Sequence, residues 1–550
     1  MTAGSQEWWR GAVIYQIYPR SFNDSNADGI GDLQGIISKL EYIAKLGADS
    51  IWVSPFLMSP QEDYGYDISD YKTVDPMFGT NNDWKAVIDK AHELGLKVLM
   101  DMVFSHTSNQ HPWFLESRSD TKNPKADWYL WADPKADGSP PNNWICRFNN
   151  CSAWTWEPRR KQYYFHNFLA SQPDLNFHNP EVREAAKDIM RFWLDLGVDG
   201  FRFDVVNFYF QDKELRDNPP FEEGDPKLDD IFESSPLYLQ RQKYNRTRPE
   251  NLEFIKEIRA LLDEYPDTTS IGEVSDDDNI RLAASYTKGM NHLHQAYTPF
   301  LLRPDNNNAA LVRKGLQIIE TEFDDSWPMW ATGNHDVQRI ITRWSEEGEA
   351  YNADKVKTLM VLSASMRGSV LLYQGDELGL PEVLDMPLEM LRDPLGIALY
   401  PEAPGRDGCR VPLPWAKDQE NAGFSIGQPW LPLPHSFHEF AADVQETDEN
   451  SVLNFTRKFL NWRRTQPAVV AGKLHLLEDF HEDLVCYERE LDDQKLTFVF
   501  NLSGNSLKVK QSDFEGTLRF LADLTSEGVE VTDSTIKMPA WSFFIAEEAK

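Results

Sequence analysis

Residues 195–208, Asp-Leu-Gly-Val-Asp-Gly-Phe-Arg-Phe-Asp-Val-Val-Asn-Phe, end a helix at Gly197 and then run as a strand that carries Arg202 and Asp204. Side chains two apart on a strand share a face, so a guanidinium and a carboxylate leave the strand's end together. A cation beside Asp204 favours its ionised form, which suits a nucleophile or a charge stabiliser. An isolated Arg-x-Asp is more often a plain structural ion pair. Its meaning therefore rests on what surrounds it.

The same unit of helix, glycine and strand recurs. Val182, Ala186, Ile189, Trp193 and Leu196 make the apolar stripe before Gly197, entered through Asn179 as N-cap and Pro180 at the first helical position. Ile36, Ile37, Leu40, Ile43 and Ala44 precede Gly47 and a strand at 50–54 (SIWVS). Val87, Ile88, Ala91 and Leu94 precede Gly95 and a strand at 97–103 (KVLMDMV). Further strands are expected at 12–17, 270–274, 330–333 and 370–374. This alternation predicts a parallel sheet in an α/β fold. So many units favour a closed (β/α)8 TIM barrel over a doubly wound sheet, and no G-x-G-x-x-G follows the first strand.

Spacing exposes an insertion. Gly47 and Gly95 are 48 residues apart, Gly95 and Gly197 are 102 apart, and the excess of 54 must lie between the third strand and its helix. The expected division is a catalytic barrel over 1–107 and 175–466, an inserted lobe over 108–174, and a C-terminal antiparallel β-sandwich over 467–550. The last region alternates in period two, as in 496–500 (LTFVF) and 542–545 (SFFI). A Pro- and charge-rich stretch at about 211–251 follows the strand of Asp204 and is expected to form a lip over the same face.

Composition narrows the partners. The 550 residues hold 55 Lys and Arg against 88 Asp and Glu, a net charge of −33, with no basic block. Nucleic acid and anionic membranes are poor partners for such a surface. No apolar run approaches the roughly 20 residues needed to span a bilayer. Residues 1–20 lack a basic segment followed by an apolar one, so no signal peptide is expected. The cysteines, Cys146, Cys151, Cys409 and Cys486, show neither C-x-x-C spacing nor disulfide-framework density, which fits reduced thiols in the cytoplasm.

Three strand ends carry a carboxylate: Asp204, Glu273 in 270–274 (SIGEV), and Asp336 in 332–336 (TGNHD). His106 and His335 stand at strand ends too. In a barrel these ends converge on one mouth, so residues far apart in sequence meet. Three carboxylates there repel, so at least one pKa should rise and supply an acid, while Arg202 keeps another ionised. Glycoside hydrolysis needs that division: one carboxylate attacks the sugar carbon and a protonated one releases the leaving oxygen. A divalent-metal site is the rival use of the acids, and Arg202 would repel its cation.

The segments 201–204 (FRFD), 272–273 (GE), 334–336 (NHD) and 101–106 (DMVFSH) together resemble, in order and spacing, the signature regions of the α-amylase family, glycoside hydrolase family 13. Residues 172–176 (QPDLN) resemble the extra region of its oligo-1,6-glucosidase and α-glucosidase branch. The resemblance implies Asp204 as nucleophile, Glu273 as acid/base and Asp336 as the residue that grips sugar hydroxyls in the transition state. It implies His106, Arg202 and His335 as binders of the same glucose. Ser105 departs from the Asn common in the family before the His. The segment 61–67 (QEDYGYD) is similar to the one that holds the terminal glucose, with Tyr66 as platform and Asp63 as hydroxyl acceptor. Residues 406–412 (RDGCRVP) look like the matching arginine segment, and Arg410 is the expected partner of Asp63, closing the pocket for an exo-acting enzyme.

Residues 24–32 (DSNADGIGD) alternate oxygen ligands like the first half of a calcium loop, but position twelve is Gly35 rather than the glutamate of an EF-hand. The resemblance implies a structural Ca²⁺ or Mg²⁺ held by Asp24, Asn26, Asp28, the Ile30 carbonyl and Asp32. No organic cofactor is expected. Val205, after the nucleophile, points to the opposite face of the strand but can border the pocket at its frayed end. In this branch a valine there accompanies α-1,6 activity.

The expectation is a retaining exo-α-glucosidase for short α-glucosides, with transglucosylation as a side reaction. A sucrose isomerase or dedicated transglucosylase is the alternative among enzymes, although 339–343 (RIITR) does not match the isomerases' arginine-rich loop. A non-catalytic relative acting as an interaction protein is the alternative of another class. It fits poorly, because all three acids are kept and no membrane helix is present.

Overall fold

A computed structural model describes residues 7–148, 151–225, 236–276, 278–297, 299–302, 307–401 and 405–548. Eight parallel strands close a barrel: β1 (Val13–Ile17), β2 (Ser50–Val53), β3 (Lys97–Met102), β4 (Gly200–Phe203), β5 (Thr269–Glu273), β6 (Gln295–Tyr297), β7 (Pro328–Ala331) and β8 (Ser369–Tyr373). Each pairs with its neighbour in sequence, and β8 returns to β1. Around them lie α1 (Leu33–Leu46), α2 (Asn81–Glu93), α3 (Pro180–Leu196), α4 (Glu250–Leu262), α5 (Asn279–Thr287), α6 (Ala309–Glu322), α7 (Ala353–Ser365) and α8 (Val452–Arg463). The strands are almost wholly buried because helices cover their outer face and side chains fill the interior. β6 went unread in the sequence. It is only three residues long and carries the polar Gln295 at its start.

Local chemistry sets the entry to β4. The Asn179 side chain accepts from the Glu181 N–H, Pro180 opens α3, and Gly197 closes it with φ +112°. Gly200, at φ +144°, lies so close to β5 that a Cβ would stand 1.9 Å from the Thr269 carbonyl oxygen. Any side chain here would push β4 and β5 apart, and with them the two catalytic candidates.

The insertion falls between β3 and α3, as the spacing predicts. Its three-stranded antiparallel sheet orders Trp131–Ala132, Gln162–Phe165 and Trp154–Glu157 around Trp144, Trp154 and Phe165. The Cys146 and Cys151 sulfur atoms lie 3.2 Å apart as thiols. The lip docks on this lobe: the Asn142 amide donates to the Leu215 carbonyl, and the Trp144 indole to the Arg216 carbonyl. Its residues 226–235 lie outside the described residues.

Past α8, a short helix (Pro467–Ala471) precedes the C-terminal strands. A five-stranded and a three-stranded antiparallel sheet face each other across Cys486, Val499, Phe544, Ile536 and Met538. Tyr487, Phe498, Phe500 and Phe543, on the other side of the larger sheet, join the barrel core. Among the described residues no helix is long and apolar enough to cross a membrane.

Candidate active site

One guanidinium organises the barrel mouth. Arg202 is fully buried on β4, with its plane over the Trp52 ring at 4.7 Å. Its Nη1 donates to Asp204 Oδ1 at 2.7 Å and Asp101 Oδ1 at 3.0 Å. Its Nη2 donates to Glu273 Oε2 at 2.5 Å and to the Tyr297 hydroxyl at 2.7 Å. Asp101 is fixed in turn by the Trp52 indole and the Tyr66 hydroxyl. Three carboxylates from β3, the end of β4 and β5 thus share one positive charge.

That sharing sets burial against Arg202 at each of the three carboxylates. Burial pushes Asp204 up to about 7, with Arg202 opposing it and Asp101 and Asp336 adding to the rise. Burial raises Glu273 further, to about 8, again opposed by Arg202 and assisted by Asp204 and Asp336. Asp101, also buried, rises to about 6. A single guanidinium cannot offset three desolvated charges. The cluster retains protons near neutrality, and Glu273 holds its proton most firmly.

Asp336 lines the same pocket and behaves in the opposite way. Burial works against its charge, but His335, whose Nε2–H stands beside it, and the cations Arg406, Arg410 and Arg202 outweigh it and hold the carboxylate well below its usual range. Its Oδ1 accepts from Arg410 Nη2 at 2.7 Å and Arg406 Nη1 at 3.1 Å. His335 is stacked between Tyr66 and Tyr18, with ring centroids 5.2 and 5.6 Å away. The Gln16 amide nitrogen, a donor, stands 2.8 Å from His335 Nδ1, so the ring proton sits on Nε2, 3.3 Å from Asp336. Burial keeps this imidazole neutral, with its pKa lowered to about 3.

The blind end of the pocket differs from expectation. Asp63 pairs with Arg406, not Arg410: Arg406 Nη2 reaches Asp63 Oδ1 at 2.9 Å and Asp393 Oδ1 at 2.7 Å. The turn Asp407–Cys409 directs Arg410 elsewhere, to Asp336 and the His335 carbonyl oxygen. Gln172 braces the same corner, donating to Asp63 Oδ2 at 3.0 Å and the Tyr66 carbonyl at 3.3 Å. His106 Nε2 lies 2.9 Å from that carbonyl, which can only accept, so its Nδ1 accepts from the Ser105 hydroxyl at 2.9 Å. Ser105 therefore serves the histidine directly.

A cavity of about 150 Å³ brings these groups together. Asp63, Tyr66, His106, Asp204, Glu273 and Asp336 line its depth, while Phe148 and Phe168 of the lobe and Leu395 add apolar wall. His335, Arg202 and Arg410 act from behind this lining through the contacts above. Val205 lies on the cavity as well, because the chain leaves the strand at Phe203 and Val205 takes φ +31°. The period-two rule lapses there, and the Val205 N–H faces Glu273 Oε2 at 3.3 Å. Tyr297, Arg406 and the lobe's Phe148 and Phe168 were not singled out from sequence. Arg406 stood within a segment that was.

The 24–32 loop lies apart from this cavity. The Asp24 carboxylate accepts from the Asn26, Ala27 and Gly29 N–H groups, and Asp28 from that of Ile30. Asp32 caps α1 through the Gly35 N–H at 2.7 Å. At Gly29 a Cβ would meet the Gln428 carbonyl oxygen at 1.8 Å, so the loop is clamped on 427–429. Among the described residues no three His, Cys, Asp or Glu side chains gather as a metal cluster. The donors of the loop are all oxygen, the set hard cations prefer.

Residues 16–472 match the family model "Alpha amylase, catalytic domain". The chain is 46% identical over 547 residues to a "Probable alpha-glucosidase" of Rhizobium meliloti (strain 1021), spanning 99% of this chain and 98% of that one. It is 36% identical over 527 residues to an "Oligo-1,6-glucosidase" of Parageobacillus thermoglucosidasius, covering 90% of each. The crystal structure of XgtA, described as an alpha-glucosyl transfer enzyme, superimposes with a TM-score of 0.94 at 46% identity, over 99% of this chain and all of that one.

Proposed function

From the premise that this chain belongs to the α-amylase family of glycoside hydrolases, in its α-glucosidase and oligo-1,6-glucosidase branch, we propose a retaining, exo-acting α-glucosidase that releases glucose from short α-glucosides. The carrying observation is the bridge through Arg202, which holds Asp204 and Glu273 on one guanidinium beside a pocket closed by Asp63 and Arg406. The terminal glucose enters with its reducing-side bond toward Glu273. Asp204 attacks C1 as the glycosidic C–O bond breaks, and Glu273 gives its proton to the departing oxygen. Water then loses a proton to Glu273, attacks C1 and frees Asp204. Asp336, kept anionic by Arg406 and Arg410, takes hydrogen bonds from sugar hydroxyls as positive charge builds on the ring.

Transglucosylation is the second reading, favoured by the likeness to a solved α-glucosyl transfer enzyme. It differs only in the acceptor, a sugar hydroxyl in place of water. The proposal also includes a structural divalent cation, Ca²⁺ or Mg²⁺, on Asp24, Asn26, Asp28, the Ile30 carbonyl and Asp32, with no part in the chemistry. The deciding experiment feeds maltose, isomaltose and sucrose side by side and follows products by proton NMR. α-Glucose as first product, from maltose and isomaltose, is expected. β-Glucose first would overturn retention, and isomerised sucrose without free glucose would move the assignment to an isomerase.

A further inference from the structure

We infer, resting on the glucosidase reading above, that Tyr297 is a positioning residue that sets how Arg202 is divided between Asp204 and Glu273. The phenol oxygen faces Arg202 Nε at 3.2 Å and Nη2 at 2.7 Å. Guanidinium nitrogens only donate, so both contacts use lone pairs of the phenol oxygen. Nη2 is consequently split between Tyr297 and Glu273 Oε2, while Nη1 serves Asp204 and Asp101. Strand register makes this specific: Tyr297 of β6 pairs directly with Glu273 of β5, so acid and phenol stand side by side. The Tyr297 ring is 1% exposed and borders the catalytic cavity.

Removing the phenol oxygen leaves Nε and one N–H of Nη2 without an acceptor, and the guanidinium charge that the phenol had partly offset acts more fully on Glu273, the remaining acceptor of Nη2. The other charged groups around Glu273 stay as they are: Asp204 beyond β4, Asp101 on β3, Asp336 after β7, and Arg147 of the lobe on the cavity wall. The Glu273 anion then gains a stronger partner, and its proton leaves at lower pH. The Nη1 contact to Asp204 is untouched, so Glu273 is protonated over a narrower pH range while the nucleophile is spared.

The test compares kcat/KM against pH for maltose and 4-nitrophenyl α-glucoside, in wild type, Tyr297→Phe and an enzyme with 3-fluorotyrosine placed at position 297. For Tyr297→Phe the alkaline limb should move to lower pH. At pH above the shifted limb its kcat on maltose should fall about tenfold, within the roughly 10²–10⁴ that general acid catalysis supplies, with KM little changed. The nitrophenyl substrate, whose leaving group needs little protonation, should lose far less. Fluorotyrosine, a weaker acceptor of the same shape, should shift the limb in the same direction by less, and it decides alone should Tyr297→Phe fail to fold. Equal losses on both substrates with an unmoved limb would reduce Tyr297 to a packing role, and a limb moved to higher pH would also overturn the inference. Wild type inactive on both substrates would overturn the glucosidase reading itself, and this role with it.

Discussion

The pairing of Asp63 with Arg406, and not with Arg410, can be measured by a double-mutant cycle. Asp63→Ala and Arg406→Ala are made singly and together, with Asp63→Ala and Arg410→Ala as the reference cycle. The Asp63 and Arg406 side chains are only 5% and 8% exposed and meet at 2.9 Å. A hydrogen bond to a charged group contributes about 1.5–3 kcal/mol, so kcat/KM for maltose should show a coupling of that size, roughly 10- to 150-fold. The bonds from Arg406 to Asp393 do not distort this figure, since they are lost with or without Asp63 and cancel. Arg410 shares no hydrogen bond with Asp63 and acts on it only through space, so its cycle should show the smaller coupling of the two. Initial rates of glucose release supply the data, with circular dichroism to confirm folding. A coupling larger for Arg410 than for Arg406 would refute the reasoning. So would wild-type cleavage, at full rate, of an oligosaccharide whose terminal glucose carries a 4,6-acetal, because the corner that Asp63 and Arg406 close would then be no end wall.

Asp204→Asn should abolish turnover while leaving maltose binding measurable by calorimetry; near-normal turnover would dismiss Asp204 as nucleophile. The pH profile of kcat/KM should be bell-shaped: Glu273 must be protonated, so activity is present below its pKa of about 8 and lost above it, and Asp204 must be ionised, so activity falls on the acid side. Glu273→Gln should remove the alkaline limb along with most activity on maltose, and a limb that persists would belong to another group. Asp28→Ala should lower the melting temperature and cancel any rise caused by added Ca²⁺ or Mg²⁺, because an ion bound only to the folded state stabilises by mass action; a variant that still responds to the ion would move the site elsewhere. Val205→Thr should raise the maltose-to-isomaltose ratio of kcat/KM by at most about 1–3 kcal/mol, the scale of a small change in a pocket wall, and a ratio that moves only when the lip is shortened would give specificity to the loop.

What could be read from the chain follows its physics. Strands such as 50–53 and 97–102 announce themselves because both faces are buried and the residues are nearly all apolar. β6 escaped because three residues carry no period, and Tyr297 escaped with it. The helix bounds at Asn179, Pro180 and Gly197 were legible because capping is local chemistry. The choice between Arg406 and Arg410 was not, since it depends on one turn at Asp407–Cys409 that sends two arginines of one segment to different carboxylates. Val205 reaches the cavity through the exception and not the rule: alternation holds only while the strand does, and the strand ends two residues earlier.

At Asp204 the rule read from sequence is pairwise, and the structure makes the counterion a shared one. An Arg beside an Asp predicts an anion, but this Arg also serves Asp101 and Glu273 in a buried cluster. That sharing suits the proposed reaction better than a private pair would. Before attack the negative charge lies on Asp204 and the proton on Glu273. After attack Asp204 is a neutral ester and Glu273 has given its proton away, so the charge has moved from one carboxylate to the other. Arg202 touches both, through Nη1 at 2.7 Å and Nη2 at 2.5 Å, and can follow that movement without leaving its place over Trp52. A counterion that need not move adds little reorganisation cost to the step, which is the advantage of a preorganised site over water.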